Sequence, residues 1–213
     1  MNPHDRHLDL GCGKFPRNPY GRPHLAGIDV RPPPTTVEFE HRVANVVVEP
    51  IPYPDAHFGS LSAYDFIEHV PRLLPTPDGR DTVFPFIRLM NEVWRVLAPA
   101  GRFYALTPAY PNAEAFTDPT HVNIITERTH EYFCGDNPLG RMYGFVGSFR
   151  ALRVEWVHIH DAYSALPGST ENRPPRSMTK KIARAFRRLS RRLRGKPEDH
   201  RRIYLLWEFE AVK

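Results

Sequence analysis

His7-Leu8-Asp9-Leu10-Gly11-Cys12-Gly13, answered by Leu25-Ala26-Gly27-Ile28-Asp29-Val30, decides the reading of this chain. The first stretch is a short apolar strand that stops at two glycines, where the backbone can turn tightly and approach a ligand that a Cβ would push away. The second is an apolar run that ends in a carboxylate. In doubly wound α/β sheets an acid at the end of the second strand accepts hydrogen bonds from ribose hydroxyls, and the glycine turn of the first strand lies beside it. Together the two stretches predict a nucleoside-binding crevice. A pyrophosphate is not expected, because Gly11-Cys12-Gly13-Lys14-Phe15-Pro16 lacks the third glycine that packs a helix against one.

Outward from this crevice, strands are expected at 7–10, 25–30, near 37–46, at 59–64 and at 102–106. Lys14 to His24 joins the first two through prolines and turn residues, so any helix there is very short and the ligand end is open. Phe84 to Leu97 places Phe86, Ile87, Met90, Val93, Trp94 and Leu97 at helical spacing, which predicts a helix whose apolar stripe is core, Trp94 included. Pro71 to Asp81 is a proline-rich loop at the edge of the pocket. Alternating runs at 149–159 and 203–212 read as two further strands.

Further stretches bring a known family into view. Pro52-Tyr53-Pro54-Asp55-Ala56-His57-Phe58 and Leu61-Ser62-Ala63-Tyr64-Asp65-Phe66-Ile67-Glu68-His69-Val70 follow the glycine turn in order, and then comes Asn91-Glu92-Val93-Trp94-Arg95-Val96-Leu97-Ala98-Pro99-Ala100-Gly101-Arg102. With the glycine turn and Asp29, these resemble the ordered motifs of class I S-adenosylmethionine (SAM) dependent methyltransferases over about residues 7 to 160. The subgroup they resemble is the small, type 11-like methyltransferases of surface-polysaccharide and glycan biosynthesis, which often carry a segment like Asp118-Pro119-Thr120-His121. The resemblance implies a Rossmann-like α/β sheet of seven strands in the order 3214576, with strand 7 antiparallel. It implies SAM as cofactor and S-adenosylhomocysteine as product. Asp9, Leu10, Gly11, Cys12 and Gly13 are then expected to receive the amino-acid end. Asp29 and Val30 would hold the ribose, Asn45 and Val46 the adenine, and Tyr64, Asp65 and Phe66 would lie near the methionine end. Three positions depart from the pattern: Asn45 stands where an acid is usual, Gly59 replaces an aspartate, and Ala100 replaces the first glycine of a turn.

A length of 213 residues with 41% hydrophobic content suits one domain, 1–213, with a sizeable core. The two cysteines, Cys12 and Cys134, support neither a disulfide framework nor a zinc cluster. Without an apolar run of about 18 residues or a signal-peptide h-region, the expected location is the cytoplasm. Residues 173–202 hold thirteen Lys and Arg against two acids, a local balance of +11 within a chain of net +5, so the remainder carries −6. The basicity therefore belongs to one insert between the last two strands and is no argument for a nucleic-acid-binding surface. Within it Met178, Ile182, Ala185, Phe186, Leu189 and Leu193 recur at steps of three and four, a basic amphipathic helix over 177–194. Such a helix packs on its own sheet with its arginines solvated, lies on an anionic membrane surface at the inner face, or meets a phosphate-rich substrate. Nucleic acid is not the expected partner, because no Asn-Pro-Pro-Tyr type motif for base methylation is present.

Methyl transfer from a sulfonium is an in-line displacement that depends mainly on alignment. A sugar hydroxyl is a poor nucleophile, and a base that takes its proton contributes roughly 100-fold to 10,000-fold. His121, in the long segment Thr107 to Ile125 after the fifth strand, is the preferred base, and His69, at the carboxyl edge after the fourth strand, is the second candidate. Asp118 would orient His121 or bind a substrate hydroxyl, although an Asp-Pro-Thr turn also has a local explanation. Glu68 reads as a structural anchor. Asp65, His69, Asp118 and His121 could supply metal ligands, yet nothing in their spacing demands an ion and none is assigned. The expected activity is O-methylation of a sugar hydroxyl in a glycan or lipid-linked saccharide precursor. A small natural product or other metabolite as acceptor, and a non-catalytic SAM-binding regulatory subunit, are the alternatives.

Overall fold

The computed structural model describes residues 2–33, 38–158, 162 and 202–213. Nine strands are present among them: β1 (Arg6–Leu10), β2 (His24–Asp29), β3 (Glu40–Val43), β4 (Phe58–Tyr64), β5 (Leu74–Pro75), β6 (Thr82–Val83), β7 (Leu97–Pro108), β8 (Phe149–His158) and β9 (Arg202–Ala211). Seven form one sheet in the order β3-β2-β1-β4-β7-β9-β8, and β5 and β6 pair separately as an antiparallel ribbon. The pairs from β3 across to β7 are parallel, and β9 runs antiparallel to both β7 and β8. Counted along the main sheet alone, this is the expected 3-2-1-4-5-7-6 arrangement. The expected basic helix 177–194 lies outside the described residues.

The central strands are buried on both faces, as parallel strands must be. On one face Leu8, Leu10, Leu61, Ala63, Phe103 and Phe209 join the main core. Helix α1 (Pro85–Val96) is the one α-helix among the described residues; proline suits its first turn, and it buries Phe86, Leu89, Met90, Val93 and Val96. Trp94 is only partly buried, donating its indole N–H to the Val212 carbonyl at 3.0 Å. The opposite face is polar near β1, where His7 sits between Ser60 and Ser62, each hydroxyl 2.8 Å from a ring nitrogen. The proline-rich connection between β1 and β2 forms no helix and lies over this face, with the Tyr20 hydroxyl bonded to Glu208 at 3.0 Å.

Two strand lengths correct the sequence reading. The third strand, expected near 37–46, spans only Glu40–Val43, because the ladder to β2 ends at Asp29↔Val43. Asn45 then turns the chain, its backbone carbonyl accepting from Val48 and Glu49 and its side chain from Val47. The fifth, expected at 102–106, runs from Leu97 to Pro108 with an irregularity that Ala100 makes possible at φ +57°. Gly59 also finds its reason: a Cβ there would lie 2.4 Å from the His4 Cα, so the amino-terminal turn Pro3–Asp5 excludes the aspartate usual at that position. Among the described residues no helix is long and apolar enough to cross a membrane.

Candidate active site

The loop after β1 is tied to the end of β2. Gly11 and Gly13 take φ of +65° and +53°, which favours glycine at both. The Cys12 N–H donates to the Ile28 carbonyl at 3.1 Å and the Gly13 N–H to Asp29 Oδ2 at 3.0 Å. Arg31 N–H takes Asp29 Oδ1 at 2.9 Å. Each carboxylate oxygen keeps a second lone pair, so Asp29 can still accept from hydroxyls above the sheet edge. Cys12 is buried with its sulfur against Gly27, where a Cβ would sit 2.6 Å from Sγ, and burial pushes its thiol up to about 12.

The other residues expected around the cofactor divide by where their side chains go. Val30 and Asn45 are exposed at the same edge, and Phe66 leans over the glycine turn, 2.7 Å from where a Gly11 Cβ would stand. Leu10 and Val46 turn their side chains into the core, so only their backbone faces the crevice. Tyr64 packs beside Tyr104 with the Arg17 guanidinium over its ring. Asp9 is 2% exposed, and its two oxygens accept from Ser62 Oγ at 2.5 Å and Arg17 N–H at 2.7 Å. Burial raises its carboxyl to about 7 against those hydrogen bonds. Asp9 thus anchors the loop, and Arg17 is a buried cation near this edge that the sequence reading passed over.

A second group assembles beside the first. Asp65 leaves β4 at φ +47°, a strained conformation that aspartate tolerates better than most residues, and the chain turns through Ile67–His69. The segment after β7 is stapled onto this turn: the Val122 and Asn123 N–H groups both donate to the Glu68 carbonyl, at 3.0 and 2.9 Å, and the Asn123 side chain donates to the Ile67 carbonyl. This brings His121 against His69, ring centroids 4.7 Å apart and nearly perpendicular. His121 Nε2 lies 4.0 Å from Glu68 Oε1. Glu68 is 1% exposed, its Oε2 accepts from the Thr107 hydroxyl at 2.9 Å, and burial pushes its carboxyl up to about 8.

The expected pairing of Asp118 with His121 takes a different form. Asp118 is exposed and accepts from Thr120 N–H at 2.8 Å and Thr120 Oγ1 at 2.6 Å, and Thr120 in turn contacts His69 Nδ1 at 3.0 Å. Asp118 therefore orients His69 through Thr120. Glu68, expected as a structural anchor, does fasten the segment after β7 through its carbonyl, and its carboxyl also faces His121. A cavity of about 660 Å³, walled by Phe84, Phe86, Tyr132, Phe133 and Tyr143, opens nearby. Arg72 links it to the cluster, lining the cavity while donating to Asn123 Oδ1 at 2.7 Å. None of the residues expected at the cofactor lines it.

The sheet order, the lone antiparallel strand β9 and the glycine turn facing Asp29 define the Rossmann-like fold of class I methyltransferases. Solved structures agree. A methyltransferase from Haloferax volcanii in complex with the Trm112 methyltransferase activator matches over 100% of this chain and 85% of its own, at 12% identity and a TM-score of 0.54. A SAM-dependent methyltransferase from Archaeoglobus fulgidus matches over 100% and 87%, at 13% identity and a TM-score of 0.50. The [4+2]-cyclase SpnF matches over 100% and 77%, at 14% identity and a TM-score of 0.50. No family model matches the sequence, and no curated protein does. At such identities the likeness shows the fold alone, and a cyclase among the neighbours means that the reaction has to be argued from the site.

Proposed function

We propose that this protein is a SAM-dependent O-methyltransferase. The observation that carries this reading is the adjacency of two half-sites at one sheet edge: Phe66 lies over Gly11, and the chain runs directly from it into Glu68 and His69. The cofactor fits the first half. Gly11 makes room for the Phe66 ring, nothing lies within 4 Å of a Cβ built on Gly13, and Asp29 offers lone pairs to the ribose hydroxyls. When bound, SAM supplies an electrophilic methyl carbon. Asp29, Val30 and Asn45 would hold its nucleoside end, with the Gly11–Gly13 backbone and Phe66 about its amino-acid end.

The second half suits a hydroxyl acceptor. His121 Nδ1 contacts the Ala115 carbonyl at 2.8 Å, an acceptor only, so the proton sits on Nδ1 and Nε2 presents a lone pair able to take the proton of an incoming hydroxyl. His69, oriented by Thr120 and Asp118, lies beside it. A saccharide hydroxyl is the acceptor that the sequence resemblance implies, and a lipid-linked saccharide would give the basic segment 177–194 an anionic membrane surface to meet. The aromatic walls of the neighbouring cavity favour a second reading, a small metabolite with an apolar ring.

Transfer of label from methyl-labelled SAM into fractionated extract of the source cell tests both readings, with His121→Ala as comparison. Label in saccharide or lipid-linked saccharide that falls in the variant supports the first; label in a small metabolite supports the second. Label confined to RNA or protein, or none above a protein-free control, overturns the proposal.

A further inference from the structure

We propose that Glu68, His69 and His121 form a binding site for a divalent transition-metal ion. One donor atom from each lies within 4.8 Å of the other two. Glu68 is buried, and its Oε1, which faces His121, has no hydrogen-bond partner among the described residues. A buried carboxylate oxygen left so is costly until a proton or a metal cation meets it, and a metal ion would displace that proton.

Hydrogen bonds behind the histidines fix their tautomers. The Ala115 carbonyl accepts from His121 Nδ1. The Thr120 hydroxyl gives its proton to Asp118, so its oxygen accepts from His69 Nδ1, which also lies 3.3 Å from the Thr120 carbonyl. In both neutral rings Nε2 is left with a lone pair. Two imidazole lone pairs and a carboxyl oxygen thus occupy one small region. Backing of each imidazole N–H by an oxygen is also the arrangement that orients histidine ligands on metals.

The surrounding charge agrees. Asp65 and Asp118 both act on Glu68 electrostatically, and no Lys or Arg pairs with it among the described residues. Two imidazoles and one carboxylate suit zinc, cobalt or iron better than magnesium or calcium, which prefer all-oxygen sets. Three protein ligands leave a position open for water or acceptor. Binding of the ion stands by itself; its chemical part rests on the methyl-transfer reading. There Glu68, His69 and His121 would hold an ion that lowers the pKa of an acceptor hydroxyl, whose proton would pass to solvent water, and His121 would be a ligand in place of base.

The test uses the full chain without a histidine tag, stripped with chelator and titrated with Co²⁺ and, separately, Zn²⁺. Bound metal is counted and the Co²⁺ visible absorption recorded. One ion per chain is expected, with affinity falling at least about tenfold in both Glu68→Gln and His69→Gln. His69 is only partly buried, so that variant keeps the metal-free circular dichroism spectrum and melting curve of the wild type even if Glu68→Gln does not. Absence of stoichiometric binding, or binding unchanged in His69→Gln, overturns the site. Methyl transfer by chelated protein that binds no Co²⁺ removes the metal and leaves the proposed function. One Co²⁺ lost in His69→Gln, without methyl transfer to any fraction, retains the metal and removes the function.

Discussion

His7 and Asp9 are neighbours on one polar strip of β1, and burial pushes them in opposite directions. His7 is held down from 6.5 to about 3, so the folded protein keeps it neutral; its contribution is present above pH 6.5 and is lost as pH falls towards 3. Asp9 is raised from 3.8 to about 7, so its contribution is present below pH 3.8 and is lost as pH rises through 7. Between these limits the two effects offset each other in the wild type. His7→Gln removes one of them. We expect it to cost about 1–3 kcal/mol at pH 7 through the disturbed serine hydrogen bonds, and this cost to shrink as pH falls from 7 to 4, read from urea midpoints of both proteins. A cost that grows on acidification would contradict the assigned protonation. Gly59→Ala is a purely steric case: its Cβ meets the His4 backbone at 2.4 Å, and a loss of about 1–3 kcal/mol is expected in the same measurement.

At the scale of elements, the strand-to-loop junctions aim the site. Ala100 holds φ +57° inside β7, where an L-residue is strained by about 1–2 kcal/mol. Ala100→Gly relieves that strain and gives back about 0.4–1 kcal/mol in unfolded-chain entropy. A net gain of up to about 1.5 kcal/mol is expected, seen as a melting point higher by up to roughly 3–6 °C. The other junctions were unevenly legible. Helix α1 is readable from its apolar spacing, but the expected third strand runs too far, since Val46 looks like a strand residue and only the end of the β2 ladder shows that the chain turns there.

For the whole molecule, cofactor binding and stability are linked, since a ligand that binds only the folded chain stabilises it. At a SAM concentration of about 100 Kd the gain is about 2.7 kcal/mol, which for a chain of this size raises the melting point by roughly 5–11 °C. Differential scanning fluorimetry should show this shift in the wild type and its loss in Asp29→Ala. An equal shift in the variant would mean that SAM, if bound, is held away from the β1–β2 edge. The aromatic cavity should contribute nothing to this shift, because it is walled by residues other than those expected at the cofactor.

Local sequence determined the glycine turn, the acid that answers it and the helix stripe, because each is written in the backbone preferences and polarity of neighbouring residues, while the sheet order followed only from the motif resemblance. Tertiary structure alone decided that Glu68 faces His121, that Asp118 acts on His69 through Thr120, and that Gly59 must lack a side chain under His4. These depend on where a long loop crosses the sheet edge and which N–H groups fasten it to the Glu68 carbonyl, a meeting of distant segments that no local spacing encodes.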